Sequence, residues 1–541
     1  GVDFGTTNSH IAFTHTTGNS AQSFHVNEFA LQLEYLSADG KTGDEDGVLL
    51  TDAAREFLPS NHDSSFSFPI RTVVSNVGEL DVNSKMFNDI SIGFRYSKEY
   101  TQMPFYYKDL KWDFNRSIIA PEVLARVRIF CEELLWIIKN HWMLQEDAKH
   151  TETPEIRLTY PLAMGNWKSL LQVWQEAYVS IFGVDLQTAS RKIESVTESL
   201  APCRNAMNKD GATSQGILNI DMGGGSTDLQ YYFQSQSSTK SIYCSVLFAG
   251  DDLWGKGYEH TGSTIGKGVT DNAFTRFADE KLKNAQIVVG SKAVSYPELR
   301  FSDPKEKIDC LLKDTQHNFT NALQNPQDNA CRKIMYVHYA SILWHVAKWL
   351  KANGVEQFPK YISFTGLASK YLDLLFDTDI RFEAFTKKLL SIFYEKAVDY
   401  IKITKERSPK NITAEGAALY ALDASTGAAL PISTLSYHLG YDNYNPSTDG
   451  EITFDNVATK KKVVMDSFRK FLEDFNTVGD CEKILTPQQV VKLTTSDING
   501  LMSDASESFD QMCTIMNRSG SINDSLFFWA LKDSLWKIGT H

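Results

Sequence analysis

Residues 217–231, ILNIDMGGGSTDLQY, decide how the whole sequence is interpreted. An apolar run ends at Asp221, a turn of glycine and small hydroxyl residues follows, and a second run leaves the turn. This pattern predicts two strands joined by a tight turn. Residues 1–13, GVDFGTTNSHIAF, have the same layout, with Asp3 in the place of Asp221. The two copies predict two related domains that each offer one hairpin to a shared cleft.

Both turns carry groups that bind an anion and a hard cation. Backbone N–H groups of glycine-rich turns can approach an anion closely, and small hydroxyl residues add further donors. Asp3 and Asp221 supply carboxylates, which are oxygen ligands suited to Mg²⁺, usually through its water molecules. Either turn alone could be an ordinary β-hairpin. The pair, in this order and at this separation, predicts a clamp for the phosphates of a magnesium nucleotide.

These motifs resemble those of the actin, hexokinase and heat-shock chaperone ATPase superfamily. The closest resemblance is to the nucleotide-binding domain of the seventy-kilodalton (DnaK-type) heat-shock chaperones, and it covers about residues 1–425. Similar stretches are the two phosphate motifs at 3–9 and 221–228, the connecting motifs at 197–202 and 415–420, and the adenosine motif at 361–369. Weaker likenesses are 68–71, where the chaperones place a phosphate-contacting lysine, 108–114, 158–165 and 248–252.

The resemblance implies a role for each matching residue. Asp3 and Asp221 would hold Mg²⁺ through water, while Glu198 would orient or activate the attacking water. Arg71 would stabilise the charge that develops on the γ-phosphate. Arg71 and Glu198 could each instead be a solvated surface residue. The nucleotide itself would be bound by Gly5, Thr6, Thr7, Asn8, Gly223, Gly224, Gly225, Ser226, Thr227, Gly366 and Leu367.

The sequence departs from the chaperone pattern in four places. Thr365 precedes Gly366 where the family usually has two glycines, and Arg71 replaces a lysine. A planar guanidinium places its charge differently from an ammonium, so hydrolysis could be slow or absent. The adenine-contacting helix has no match within 251–350. Residues 426–541 show neither the linker nor the peptide-binding β-sandwich of the chaperones.

The expected fold is α/β, with two ribonuclease-H-like lobes around a central nucleotide cleft, as in actin-like ATPases. The expected parts are lobe I at 1–200, lobe II at 201–425, and a mainly helical C-terminal extension at 426–541. Insertions are expected at about 30–110 in lobe I and about 251–350 in lobe II. Helical periodicity predicts helices at 121–142, 167–182, 458–476, 487–515 and 523–537, and an amphipathic helix that includes 339–350.

Composition excludes several classes of protein. The 541 residues are 42% apolar and carry a net charge of −13, so general binding to nucleic acid or to an anionic membrane is not expected. No apolar run approaches the roughly 20 residues that span a bilayer. The seven scattered cysteines predict free thiols. Asp3 lies where a signal peptide would have a basic or apolar stretch, so we expect no signal peptide here and a cytoplasmic protein. The sequence begins within a predicted strand, and we expect a few residues to precede it.

Three functional classes remain open from the sequence. The first is a Mg²⁺-dependent ATPase that binds ATP or ADP and acts as a chaperone-like switch on a protein partner, for which 426–541 is a candidate contact region. The second is a nucleotide-binding regulatory subunit with little turnover. The third is an actin-like filament former or a small-molecule kinase, although no motif for an acceptor pocket is recognisable.

Overall fold

A computed structural model describes the fold over most of the chain. The described residues are 1–6, 8–15, 20–26, 66–67, 70–76, 90–92, 105–108, 110–115, 119–144, 152–161, 164, 166–198, 200–202, 212–234, 239–254, 286–289, 292–295, 329–376, 378–406, 409–422, 439–441, 450–479, 492–515, 522 and 524–536. They form strands and helices that alternate along the chain, so the fold class is mixed α/β, as the sequence predicts.

The strands are β1 (Val2–Phe4), β2 (Asn8–Phe13), β3 (Gln22–Ser23), β4 (His25–Val26), β5 (Phe66–Ser67), β6 (Ile70–Arg71), β7 (Val73–Asn76), β8 (Ile90–Ile92), β9 (Phe105–Lys108), β10 (Ile156–Tyr160), β11 (Ile193–Thr197), β12 (Ile217–Met222), β13 (Thr227–Gln234), β14 (Thr239–Val246), β15 (Gln286–Val289), β16 (Lys292–Ser295), β17 (Tyr361–Thr365) and β18 (Lys402–Lys405). The α-helices are α1 (Pro121–Met143), α2 (Trp167–Phe182), α3 (Leu186–Lys192), α4 (Asp251–Trp254), α5 (Asn329–Ala352), α6 (Leu372–Leu375), α7 (Asp379–Tyr394), α8 (Pro409–Leu422), α9 (Lys461–Gly479), α10 (Thr495–Ile515) and α11 (Leu526–Trp536).

The chain divides into two compact units, each made of separate stretches. Unit 1 comprises 1–208, 282–310 and 410–427, and unit 2 comprises 209–281, 311–409 and 428–541. The C-terminal segment thus belongs to unit 2. The division predicted from the sequence, at 200 and 425, stays a prediction, because compactness alone does not say which parts fold independently.

Unit 1 contains a mixed sheet in the order β3–β2–β1–β10–β11, with β6 paired to β2. The first three strands run antiparallel, and β10 and β11 continue the sheet parallel to β1. β1 is buried along its whole length because helices cover it. The ring of Phe4 lies 5.5 Å from Phe130 of α1 and 5.9 Å from Trp174 of α2.

Unit 2 contains a sheet in the order β14–β13–β12–β17–β18. Here too the first three strands run antiparallel, and β17 and β18 follow parallel to β12. The two sheets therefore share strand order and strand direction. In both, the first strand is central and carries the aspartate that the sequence singles out, Asp3 in β1 and Asp221 in β12.

Two of the helices predicted from periodicity have the expected bounds. α1 begins at Pro121, which suits a first helical position because proline lacks an amide hydrogen. α2 covers the predicted residues and ends at Gly183, whose φ of 67° gives the left-handed cap that glycine adopts readily. The sequence also predicts that a helix begins at Ala414, and this prediction is wrong, because α8 already begins at Pro409.

Gly416 is the unusual residue of this helix. It lies inside α8, although an interior glycine normally weakens a helix. A side chain at Gly416 would overlap the backbone carbonyl of Ala201, so the glycine permits close packing of α8 against the helical residues 200–202. The contact is extended by an apolar cluster in unit 1 made of Val196, Leu200, Ala201, Ala417 and Tyr420. The two stretches that resemble connecting motifs thus pack on each other.

The C-terminal helices of unit 2 pack on α5. The sequence predicts one apolar face on this helix, but nearly every side chain from Cys331 to Leu350 is buried, Trp344 included. The Trp344 ring lies 5.2 Å from Phe393 of α7 and 5.9 Å from Phe471 of α9. Phe527, Phe528 and Trp529 of α11 are fully buried as well. The three predicted C-terminal helices are found at 461–479, 495–515 and 526–536, and the predicted stretch 487–491 lies outside the described residues.

Two further sequence expectations concern membranes and thiols. Within the described residues, the helices lack the combination of length and apolar character that crossing a bilayer requires. Cys131, Cys244, Cys331 and Cys513 are free thiols, and all but Cys513 are buried. The remaining three cysteines lie outside the described part of the chain.

Candidate functional site

The first candidate site lies in unit 1 at the turn from β1 to β2. Asp3 is 2% exposed and stands opposite His10 in the antiparallel pair. Its Oδ1 accepts a hydrogen bond from the hydroxyl of Thr159 in β10, 3.3 Å away. Gly5 is buried in the turn, and Thr7 lies outside the described residues. The neighbouring strand β10 therefore holds the carboxylate at the start of the turn.

Trp112 sets the orientation of the Thr6 hydroxyl. Its indole Nε1 donates to Thr6 Oγ1 at 2.7 Å, and both side chains are buried. Because an indole can only donate, the threonine oxygen accepts here and keeps its own hydrogen for another acceptor. The hydrogen of the Thr6 hydroxyl is thus left for an acceptor other than Trp112.

Asn8, the next predicted binding residue, has an unsatisfied side chain. It is 1% exposed, and neither its Oδ1 nor its Nδ2 finds a hydrogen-bond partner among the described residues. A buried polar group without a partner costs of order 1–3 kcal/mol. A polar ligand at this turn would remove that cost. Arg71 pairs with Asn8 through the backbone of β6, but the structure does not describe the Arg71 side chain.

Glu198 is buried and forms an ion pair with Lys111, whose side chain is 1% exposed. The alternative that Glu198 is a solvated surface residue is therefore wrong. Its backbone N–H donates to Tyr160 O at 2.9 Å, which continues the pairing of β11 with β10. Because Lys111 precedes Trp112, one short segment contacts both Glu198 and Thr6.

Sequence reasoning missed Lys111 and Trp112 as site residues. Positive charge was expected at Arg71, although 108–114 also matched the family pattern. The available signal was a lysine within an aromatic stretch, KDLKWDF, since a lysine surrounded by bulky apolar residues is buried only when paired. The side chain of Arg71 is not described, so its role stays a prediction.

The second candidate site lies in unit 2 at the turn from β12 to β13. Gly223 N–H donates to Ser226 O at 2.9 Å and closes the turn. The Ser226 hydroxyl donates to Asp228 Oδ2 at 3.0 Å, and the Thr227 hydroxyl donates to Phe248 O at 2.6 Å. Both hydroxyl hydrogens are therefore directed to the protein and hold the turn in shape.

Gly224 and Gly225 provide the donors of this turn. Within the described part of the chain, their amide N–H groups have no acceptor. Both glycines are partly exposed, whereas the strands on either side are buried. Consecutive free amides in a small-residue turn form a concave site for an anion. The Ser226 and Thr227 hydroxyls donate to protein acceptors, and their predicted role toward a phosphate stays a prediction.

Gly366 lies directly beside Asp221. Parallel pairing of β12 with β17 brings the carboxyl ends of both strands to one edge of the sheet, and Asp221 stands opposite Thr365. Gly366 has a φ of 79°, and a side chain there would overlap Met222 O and Asp221 Oδ1. Leu367 begins the 3-10 helix Leu367–Tyr371 and is buried. The structure thus places the predicted adenosine motif next to the second phosphate turn.

The two carboxylates can be examined as ligands of Mg²⁺. Asp221 is 8% exposed and adjoins the glycine turn, while Asp3 is held by Thr159. The described residues contain no group of three or more His, Cys, Asp or Glu side chains that could hold a metal. Mg²⁺ keeps several water molecules and often takes only one or two carboxylates plus substrate phosphates. Each carboxylate, taken within its own unit beside its small-residue turn, is thus a donor that a hydrated Mg²⁺ could use.

Comparisons with known proteins identify no relatives. The chain matches no known protein-family model, and no curated protein is significantly similar to it.

Proposed function

We propose that this protein binds a magnesium nucleotide and hydrolyses ATP, as a member of the actin, hexokinase and heat-shock chaperone ATPase superfamily. One observation carries the proposal. Both sheets have the same strand order and direction, and in both an aspartate of the central first strand precedes a small-residue turn. This duplication supports two ribonuclease-H-like lobes, each with one phosphate turn.

The chemistry of each turn supports phosphate as the ligand. In unit 2, the free amides of Gly224 and Gly225 suit phosphate oxygens. In unit 1, the Thr6 hydroxyl keeps its hydrogen for an acceptor other than Trp112, and the Asn8 amide has no partner among the described residues. Gly366 lets the chain after β17 lie directly against Asp221, so the predicted adenosine motif adjoins the aspartate of the second turn.

The proposed mechanism assigns the chain's own groups as follows. Asp3 and Asp221 would hold Mg²⁺ through water, and the ion would neutralise charge on the phosphates. Glu198 would accept a hydrogen bond from the water that attacks the γ-phosphorus, and ADP would leave. Lys111 would keep Glu198 in place and offer positive charge to the transferring phosphoryl group, a role that we also retain for Arg71.

The ion pair of Glu198 favours a second candidate, a nucleotide-binding regulator with little turnover. A carboxylate held by a buried lysine is less available to a water molecule, so hydrolysis would be slow. In either case we propose that the nucleotide state changes the affinity for a protein partner.

The test is phosphate release from ATP with Mg²⁺, together with calorimetric titration of Mg-ADP and Mg-ATP. Asp221→Ala should abolish binding or turnover, while the fold is checked by circular dichroism. Turnover that vanishes in this variant supports the ATPase, and tight binding without turnover supports the regulator. Nucleotide affinity and turnover equal to wild type in Asp221→Ala would overturn the site assignment.

A further inference from the structure

The second phosphate turn is supported from behind by residues 247–252 of unit 2. Gly250 N–H donates to Gly223 O at 3.1 Å, and Asp251 N–H donates to Gly224 O at 2.8 Å. The Phe248 carbonyl also accepts the Thr227 hydroxyl. These three hydrogen bonds fix the peptide planes of the turn whose amides face outward, so the position of 247–252 determines the position of the donors.

Residues 247–252 are held in turn by the start of α11. Asp524 Oδ1 accepts a hydrogen bond from Leu247 N–H at 3.0 Å, although the two residues are 277 positions apart in sequence. The Phe248 ring stacks on Phe528 at 4.4 Å with an interplanar angle of 15°. The Phe248 ring also stacks on the ring of His338 in α5, with the two centroids 4.6 Å apart. All of these side chains are buried.

We propose that Asp524 and Phe528 are positioning residues for the second phosphate turn, so that docking of the C-terminal helix α11 regulates phosphate binding at Gly224 and Gly225. This inference rests on the proposed nucleotide-binding function. It adds that the affinity for the phosphates depends on a segment about 280–300 residues away in sequence, which a partner of the C-terminal helices could displace.

The hydrogen bonds of Asp524 fix how α11 lies against residues 247–252. Asp524 also accepts hydrogen bonds from Ser525 N–H at 2.8 Å and from Trp529 Nε1 at 3.0 Å, so its carboxylate is fully used inside the protein. Lys532 lies 3.8 Å from Asp524. Ser525, Trp529 and Lys532 would move together with Asp524, so moving α11 would leave the buried Leu247 N–H without its partner, which ties helix docking to the geometry of 247–252.

Asp252, in the supporting segment 247–252, is also affected by a charge on α11. Burial raises the pKa of its carboxyl group to about 7, while the charge of Lys532 opposes that rise. Its Oδ2 accepts Ala249 N–H at 2.8 Å and closes the 249–252 turn. The charged side chain of α11 therefore acts on the segment that supports the phosphate turn.

The test compares Asp524→Ala with a matched control in the full chain. Asp497→Ala also removes a buried aspartate of the C-terminal segment, but its hydrogen bonds go to Lys333 and Thr494. Phe528→Leu is a milder second variant that keeps apolar volume and removes the stacked ring. Amide hydrogen exchange, read by mass spectrometry on peptides that cover 223–227 and 248–252, needs no nucleotide. Calorimetry then compares Mg-ADP with adenosine, which lacks phosphates.

We expect exchange at Gly250 and Asp251 to rise about tenfold in Asp524→Ala and Phe528→Leu, and to stay near wild type in Asp497→Ala. Affinity for Mg-ADP should fall about tenfold, while affinity for adenosine is unchanged. Equal exchange in Asp524→Ala and the control would overturn the inference, as would unaltered Mg-ADP affinity. A wild-type protein that binds no nucleotide would defeat the proposed function, whereas a rise in exchange would still support the positioning contact.

Discussion

Two glycines with positive φ separate the effect of backbone conformation from the effect of crowding. Gly366 (φ 79°) has no room for a side chain beside Asp221, whereas Gly183 (φ 67°) has no atom within 4 Å of the position a side chain would take. Gly183→Ala should cost about 1–2 kcal/mol of stability, the usual cost of this conformation. Gly366→Ala should cost at least about 3 kcal/mol, because overlap is added. Urea unfolding of both variants measures this, and equal losses would contradict it.

The buried ion pair of Lys111 and Glu198 leads to a prediction about the loss of stability when one of the two charges is removed. Lys111→Met should destabilise unit 1 by about 3–5 kcal/mol, because the carboxylate of Glu198 would stay buried without a counter-charge. Adding Glu198→Gln should recover most of that stability. Neither variant should hydrolyse ATP. Thermal unfolding and phosphate release test both statements, and a single variant as stable as wild type would contradict the first.

Buried His338 leads to a prediction about how the stability of the protein depends on pH. Burial lowers the pKa of its imidazole to about 3, and the ring is held between two partners. Nε2 must donate to Ala249 O, so Nδ1 accepts from the Tyr371 hydroxyl, and only the neutral ring satisfies both. The unfolded chain takes up the proton near pH 6.5, so the stability contributed by neutral His338 is complete above that pH. This contribution is lost as the pH falls toward 3.

The measurement is urea unfolding of wild type and His338→Gln at pH 7 and pH 5. The free-energy advantage of wild type over the variant should shrink by about 2 kcal/mol between these two pH values. Gln is chosen because its amide can donate to Ala249 O and accept from Tyr371 without titrating. An advantage that does not change with pH would show that burial does not hold the ring neutral.

At the scale of single elements, the packing of α8 opposes its helix propensity. Alanine favours a helix interior by about 1 kcal/mol over glycine, so propensity alone predicts that Gly416→Ala stabilises the protein. A side chain at Gly416 would overlap the carbonyl of Ala201, so we expect destabilisation of about 1–3 kcal/mol instead. Differential scanning calorimetry decides the sign, and a raised melting temperature would contradict the packing described here.

The same helix shows where sequence reasoning succeeded and failed at this scale. Periodicity and Pro121 were enough to place α1, and periodicity alone placed α2, because these signals are local. The predicted start at Ala414 was wrong, because α8 begins at Pro409 and its interior includes Gly416. Its reason for being glycine is a contact with Ala201, more than 200 residues away in sequence, which no local pattern contains.

At the scale of the whole molecule, the C-terminal segment should be required for unit 2. α9 and α11 cover α5, with Phe471 against Trp344 and Phe528 against His345. A chain truncated after residue 427 would expose this apolar surface. We therefore expect unit 2 to unfold or aggregate, as measured by circular dichroism and limited proteolysis. A soluble, folded truncated protein would contradict this and would make the segment a separate module.

The sequence alone led to the α/β class and to the two hairpins, because both depend on short apolar runs and small-residue turns. It also identified Asp221 and Gly366, which the structure places side by side. It could not identify Lys111 as the partner of Glu198 or Asp524 as the partner of Leu247. Each of those pairs joins residues that are far apart in the sequence. The sequence alone does not distinguish a buried lysine or aspartate from a solvated one, because the partner becomes visible only in the fold.

The division of unit 1 into separate stretches has a consequence for its biosynthesis. α8 belongs to unit 1, yet it follows β11 only after roughly 200 residues, which a ribosome adds in about 10–40 s. During that interval, the surface around Ala201 that receives Gly416 stays uncovered on the nascent chain. Unit 1 therefore cannot be completed until α8 has been translated, after 209–281 and 311–409 of unit 2.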